Sequence, residues 1–390
     1  MTMKKSLIAL AVSSVVVAPA TAQAAEVYGN VQVGWESTST DNGGTGMIFN
    51  TTGDDSGGGA QDTWETRLGV SASEDIGNGL TAGANFELGL STSSVGAGSV
   101  NEDVGFQTRL ANVTLGGDFG MLKLGTQYGL FYEYAGWNHG RTVAHGFGGH
   151  YWFFNTASNQ TVDPSGLRVD NAFTYTFGGG GYSSDPFTFS VQLHMDGNDE
   201  AGNQIGTTTT TIAGITTVTV SNTAVDDEEA IDAIHVAAQG TFGPVTVNGQ
   251  VMQENNTDSS TVNVPEPMVF TIGARWSSGP FYVGGTFLQS DNDINNPGQT
   301  VSDEPNAILG MAGMDFGNGY AGKVGFGTGD ADRGDGNGDM TNFYVEGTKT
   351  LGERTTLWAE FETASTEDTA NGNTDDSDEQ IFAVGVNHSF

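Results

Sequence analysis

The stretch WETRLGVSASEDIGNGLTAGANFELGL, residues 64–90, decides the fold. In its first half Trp64, Thr66, Leu68 and Val70 alternate with Glu65, Arg67, Gly69 and Ser71. In its second half Leu80, Ala82, Ala84, Phe86, Leu88 and Leu90 alternate with Thr81, Gly83, Asn85 and Glu87. A repeat of two puts apolar side chains on one face of a strand and polar ones on the other. Between the halves lies Glu74-Asp75-Ile76-Gly77-Asn78-Gly79. Asn and Gly tolerate the positive φ that a tight hairpin turn demands. The stretch therefore reads as a β-hairpin whose strands are each apolar on one side only.

Working outward, the same unit recurs. Tight turns stand at 75–80 (DIGNGL), 118–122 (DFGML), 241–245 (TFGPV), 277–281 (SSGPF), 315–320 (DFGNGY) and 350–355 (TLGERT), with an irregular glycine run, GGGGYSSDP, at 178–186. Long connections rich in acids, Gly, Asn and Thr alternate with them, the first at 38–61 and others near 92–103, 197–229, 254–267, 291–305, 329–340 and 365–378. Alternating segments between these signals fall near 26–36, 62–74, 79–91, 104–116, 121–128, 169–177, 187–196, 230–241, 245–253, 268–277, 280–290, 306–316, 320–328, 341–350, 354–364 and 379–390. That is about 16 strands of about ten residues, with short turns at one end and long loops at the other. The pattern predicts an all-β fold, a transmembrane antiparallel barrel. Closure satisfies every backbone N–H and C=O without water, which an open sheet in lipid cannot do. A soluble β-roll would show a short fixed-period repeat, and none is present.

Composition agrees with an apolar outside and a wet inside. Only 36% of residues are hydrophobic, Gly numbers 59 and Pro 9. With 12 Lys+Arg against 47 Asp+Glu the net charge is −35, which excludes nucleic-acid partners, since phosphate contacts need clustered cations. Cys is 0, which removes disulfides, thiolate metal sites and a Cys nucleophile. Residues 1–24 read as a secretory signal: Lys4 and Lys5, an apolar run over 7–17, and Ala22-Gln23-Ala24 as the cleavage site. The exported domain is then 25–390.

One segment breaks the rhythm. Residues 128–168, YGLFYEYAGWNHGRTVAHGFGGHYWFFNTASNQTVDPSGLR, have no strand or helix period and only two acids, Glu133 and Asp163. A connection that long is usually functional.

With these features in view, the chain resembles the general porins of Gram-negative bacteria, a family of trimeric, non-specific diffusion channels. The resemblance rests on residues 64–90, on TRLANVTLGGDFGMLKLGTQYGLFYEYAGWNHGRTVAHGFGG (108–149), and on the final strand QIFAVGVNHSF (380–390). It implies that the third external loop, 128–168, folds into the barrel and narrows it. His145-Gly146-Phe147-Gly148-Gly149 matches a PEFGG-like signature, with Gly146 where the family has an acid. The narrow zone is then expected to hold Arg141, His145, His150, Tyr132 and Glu133, facing a basic cluster of Arg67, Arg109 and Arg168. Phe390 resembles the assembly signal read by the outer-membrane insertion machinery, although His388 stands where an aromatic is usual. Further implied partners are two more copies of the chain and lipopolysaccharide with outer-membrane lipid.

Strand parity assigns the remaining charges. A charge facing lipid at mid-depth costs about 2–4 kcal/mol, so the face opposite the apolar one must hold them. This turns Arg67, Lys123, Arg168, Arg275 and Lys323 toward the lumen, with Glu36, Glu65, Glu87, Asp170, Glu346, Glu360 and Glu362. Arg109 joins them, on a strand whose alternation is ambiguous: Leu110 and Asn112 against Ala111 and Val113. The external loops carry most of the acids, as at 226–229 (DDEE).

Other chemistries are set aside. Asp335, Asn337, Asp339 and Glu346 have the spacing of a calcium loop, but Met340 replaces the required glycine. His139, His145 and His150 are close in sequence and read as packing rather than a metal site. No G-x-S-x-G or H-E-x-x-H occurs, so neither an enzyme nor a cofactor is expected. The function expected is passive diffusion of small hydrophilic solutes and ions across the outer membrane, with slight cation preference. The alternatives are a substrate-selective channel with an aromatic constriction, or a surface adhesin or phage-receptor barrel.

Overall fold

A computed structural model describes residues 25–40, 45–50, 66–92, 104–136, 168–181, 183–195, 204–212, 215–223, 231–254, 268–291, 294–296, 299–301, 306–330, 338–368 and 375–390. The strands are β1 (Glu26–Thr40), β2 (Thr45–Asn50), β3 (Thr66–Gly77), β4 (Leu80–Thr92), β5 (Val104–Gly117), β6 (Gly120–Tyr128), β7 (Arg168–Phe177), β8 (Phe187–Met195), β9 (Gln204–Ile212), β10 (Ile215–Thr223), β11 (Ile231–Phe242), β12 (Val245–Glu254), β13 (Met268–Ser278), β14 (Phe281–Asp291), β15 (Ile294–Asn296), β16 (Gln299–Val301), β17 (Asn306–Gly317), β18 (Tyr320–Asp330), β19 (Gly338–Thr350), β20 (Thr355–Asp368) and β21 (Asp375–Ser389).

Sixteen of them pair in sequence order and close on themselves through β21 and β1: β1, β3 to β8, β11 to β14 and β17 to β21. Every pairing is antiparallel, as the tight turns require. The seam is finished by the last residue, where Phe390 N–H donates to Gly29 O at 3.0 Å and Gly29 N–H to Phe390 O at 3.3 Å.

The remaining strands correct the sequence reading at three places. The stretch 38–61, read as a polar loop, contains β2, and β2 pairs with the upper half of β1 where β3 does not reach. Its Met47-Ile48-Phe49 triplet was hidden by Gly, Thr and Asn around it. The stretch 197–229, read as a loop, contains the β9–β10 hairpin, which forms a separate two-stranded sheet. Its strands are built largely from threonine, whose β-branched side chain favours extended backbone. A third small hairpin, β15–β16, follows β14.

The alternation sorts the two faces. Val27, Leu68, Phe86, Val113, Ile234, Ile272, Ile308, Val324 and Phe343 are left bare by the protein itself, as a lipid face must be. Residues of the opposite face are covered: Gln32, Glu87, Gln192, His235, Gln250, Thr271, Thr286, Asn342 and Glu360. Phe119, Phe177, Phe187, Phe242, Phe281, Phe316 and Tyr320 are exposed beside the short turns, forming an aromatic girdle at one membrane boundary.

Two turns share one design. Asn78 and Asn318 have φ of 57° and 55°, between glycines that are also at positive φ. Asp75 Oδ1 accepts from Gly77 N–H at 2.8 Å, and Asp315 Oδ1 from Gly317 N–H at 2.7 Å. A Cβ added at Gly77 would meet nothing within 4 Å. The Gly77→Ala change should therefore cost only the left-handed backbone strain, about 1–2 kcal/mol, measurable as a lower urea midpoint for refolding into lipid.

Candidate functional site

The lumen face is crossed by the start of the long connection after β6. Gly129 O accepts from Glu133 N–H at 3.0 Å, and Gly136 N–H donates to Phe131 O at 3.1 Å, closing a single π-helical turn, Phe131–Ala135. Such turns are short and often sit at functional positions. Leu130, Phe131, Tyr134 and Ala135 are all 0% exposed. Phe131 lies in a cluster with Ala233, Met252, Val269, Leu288, Ala307 and Leu309, which are inward residues of β11 to β14 and β17. Its ring centroid is 4.2 Å from that of His235. The loop root thus runs from β6 to the inner wall several strands away and is held there by apolar contact.

Hydrogen bonds fix it further. Tyr134 Oη lies 2.7 Å from Ser190 Oγ and accepts from Thr188 Oγ1 at 3.4 Å. Asn248 Nδ2 donates to Tyr134 O at 2.6 Å, and Gln192 Nε2 to Tyr128 O at 3.2 Å. Burial raises the Tyr134 hydroxyl above its ordinary pKa. A raised phenol keeps its contribution below the unfolded value near 10 and loses it as pH climbs through the folded value. The root should therefore loosen only in strong alkali, which protease accessibility of the loop against pH would report.

The sequence-derived candidates fall into four groups. The first centres on Glu87, which is 2% exposed. Arg109 Nε donates to its Oε1 at 2.5 Å, and an Arg67 guanidinium nitrogen lies 3.9 Å from the same oxygen. Tyr28 Oη donates to nearby Asn85 at 2.8 Å. The ambiguous alternation around Arg109 has a structural cause. Glu87 pairs with Leu110 and Leu88 with Thr108, so Arg109 is the extra residue of a β-bulge. A bulge re-aims a side chain without moving the rest of the ladder, and both Arg109 and Leu110 are buried.

The second group sits at the loop root. Lys123 Nζ is 3.4 Å from Glu133 Oε1, and the Tyr132 ring lies 4.8 Å from that of Tyr128. At the other end of the loop the parity reading fails. Gly125 pairs with Ala172 but Gln127 with Val169, so β7 carries a bulge at Asp170 and Asn171, with Asn171 at φ 46°. Val169, not Asp170, shares the covered face of Ala172; Asp170 is exposed and Arg168 is half-buried.

The third group lies on β13 to β20 and β1. Lys323 Nζ is 3.0 Å from Glu346 Oε1. Glu346 pairs in register with Glu360, and Ala383 carries the same row on to Glu36. Glu362 Oε1 accepts from Asn342 Nδ2 at 2.7 Å. The Arg275 guanidinium lies 4.6 Å from the Tyr282 ring centroid. The fourth group, Glu65, Arg141, His145 and His150, lies outside the described residues.

Sequence reasoning missed the apolar side of the site. In the sequence Phe131 and Tyr134 are two aromatics among many in 128–168, and Asn248 is one polar residue of a strand. Gly181, in the irregular glycine run, leaves space for the loop root: a Cβ there would overlap Glu133 O. The glycine run was the available signal. Among the described residues no group of three or more His, Cys, Asp or Glu could hold a metal ion.

Comparisons place this arrangement. Outer membrane porin protein 32 of Delftia acidovorans is 29% identical over 216 residues, which is 52% of this chain and 55% of that protein. The anion-selective porin from Comamonas acidovorans superposes with a TM-score of 0.66 at 18% identity, covering 94% of this chain and 99% of that one. The trimer form of OmpT of Vibrio cholerae gives 0.60 at 14%, covering 94% and 99%. The family model described as Gram-negative porin matches residues 9–370. The chain belongs to the Gram-negative porin family, whose barrels are integral to the outer membrane.

Proposed function

We propose that the protein is a passive channel for small hydrophilic solutes and ions. The observation that carries this reading is the charged and polar inner wall of a closed barrel, crossed by the loop root at 129–136, whose Phe131 clusters with inward residues of β11 to β14 and β17. Nothing in the reading requires catalysis. The working unit is a homotrimer, as in the trimer form of the Vibrio cholerae relative. Residues 1–24 direct export and are removed, Phe390 presents the final strand to the insertion machinery, and the acidic loops meet lipopolysaccharide.

Ion preference follows from opposed fields. Arg67, Arg109 and Lys123 occupy β3 to β6, against Glu36, Glu346, Glu360 and Glu362 on β1, β19 and β20. The net charge of −35 tips the balance toward slight cation preference, through an acid-rich mouth that concentrates cations. The Comamonas acidovorans relative is anion-selective by its description, so the sign is the point to test. Planar-bilayer current from the purified wild type decides the channel reading: absence of ohmic current refutes it. The reversal potential in a salt gradient decides the preference, and an anion-selective value overturns that part alone. Lys323→Met removes the cation 3.0 Å from Glu346 and should shift the potential further toward cations. The shift should fade in concentrated salt, because the Debye length falls to about 3 Å at 1 M.

A further inference from the structure

Four inward aromatic side chains share one placement. Tyr28 pairs in register with Gly69, Tyr282 with Gly313, Tyr344 with Gly325, and Trp358 with Gly385. In each pair a Cβ built on the glycine would overlap the aromatic ring of its partner. None of the four glycines is at positive φ, so backbone conformation does not call for glycine there. What calls for it is the ring, which lies flat across the neighbouring strand, joined at Gly385 by the Val33 carbonyl oxygen. The rings belong to the inner face, because the flanking residues Val27, Phe281, Val283, Phe343, Val345 and Leu357 are exposed toward lipid.

Two of these pairs lie among the charges of the lumen. Gly313 pairs with Lys323 as well as with Tyr282, and Lys323 pairs with Glu346. Tyr344 pairs with Glu362 and is only 8% exposed. Arg275 stacks over Tyr282 at 4.6 Å, so the floor under that ring also sets the height of a cation.

We propose that Gly313 and Gly325 are positioning residues for conduction: they let Tyr282 and Tyr344 lie flat on the wall and so keep the lumen wide. A ring lying across a glycine takes up little of the cross-section. A methyl group beneath it forces the ring, and above Gly313 the Arg275 guanidinium, off the wall and into the path of ions. This rests on the channel reading above.

The test is single-channel conductance of Gly325→Ala and Gly313→Ala in the full-length barrel, with wild type measured first. Lack of wild-type current would sink the channel reading itself, whereas a conducting wild type isolates the present proposal. Each glycine variant should conduct less by about a fifth or more, since ion flux follows the free cross-section. Gly313→Ala should also move the salt-gradient potential toward anions, a readout that a merely structural role would leave alone. In the Tyr344→Ala background, Gly325→Ala should change nothing. Wild-type conductance in both glycine variants, or the same loss with and without the Tyr344 ring, overturns the proposal. If neither glycine variant gives a heat-stable barrel, Tyr344→Ala decides: a flat ring predicts a conductance gain below about a tenth. A gain of half or more would mean the ring already stands in the lumen.

Discussion

Replacing Phe131 by alanine is expected to free the root of the long loop while leaving the barrel closed. Phe131 is 0% exposed and belongs to one buried cluster with Ala233, Met252, Val269, Leu288, Ala307 and Leu309 of the wall. Truncating a buried phenylalanine costs about 3–5 kcal/mol. The barrel ladder contains no bond to this side chain, so the loss falls on the segment and appears as local opening rather than global unfolding. Current per channel should rise and become noisier, and protease should cut within 128–168 where the wild type resists. The heat needed to unfold the barrel on a gel should change little. Tyr134→Phe removes only the hydroxyl contacts to Ser190 and Thr188 and should have a smaller effect, about 1 kcal/mol. Unchanged current and unchanged cleavage in Phe131→Ala would show that the root is not what positions the loop.

Neutralising Glu87 should do two separable things. Its carboxylate holds Arg109, whose side chain is 4% exposed, and lies 3.9 Å from Arg67. Removing one partner of a buried pair costs about 3–5 kcal/mol, because the charge left behind is poorly solvated. Glu87→Gln keeps the shape and should lower stability to urea by that order, while shifting the salt-gradient potential toward anions. The double change Glu87→Gln with Arg109→Met should recover most of the stability, since no buried guanidinium is then left without its carboxylate. It should also return the potential toward cations. If the double variant is no more stable than the single one, the pair is not the reason for the loss.

The barrel was legible because lipid enforces the alternation. Residues 80–90 could be read directly, since both faces of β4 obey one rule along their length. The inner wall was less legible. Parity names a face but not a partner, so Glu87 was seen pointing inward without Arg109 at 2.5 Å. Arg109 itself sat on a strand whose pattern looked confused, and Asp170 was placed inward by a count that a bulge breaks. Strands β2, β9 and β10 failed for another reason: β2 pairs only with the end of β1 that β3 does not reach, β9 and β10 pair only with each other, and their composition resembles that of loops. The apolar anchoring of the loop root could not be read from local pattern. Phe131 and Tyr134 are fixed by β8, β11 and β12, more than fifty residues further along the chain, and no local pattern encodes a contact of that range.

The bulge at Arg109 has a consequence for how such channels diversify. On a regular strand, a charge can enter the lumen only by occupying an inward slot, and the slots are dictated by the strand's fit to lipid. An inserted residue escapes that bookkeeping. Deleting Arg109 would let Thr108 and Leu110 follow one another in step with Leu88 and Glu87, with the outward set on both strands unchanged. Conductive properties written as insertions can therefore be gained or lost in one genetic event, without rewriting the instructions that seat the protein in its membrane.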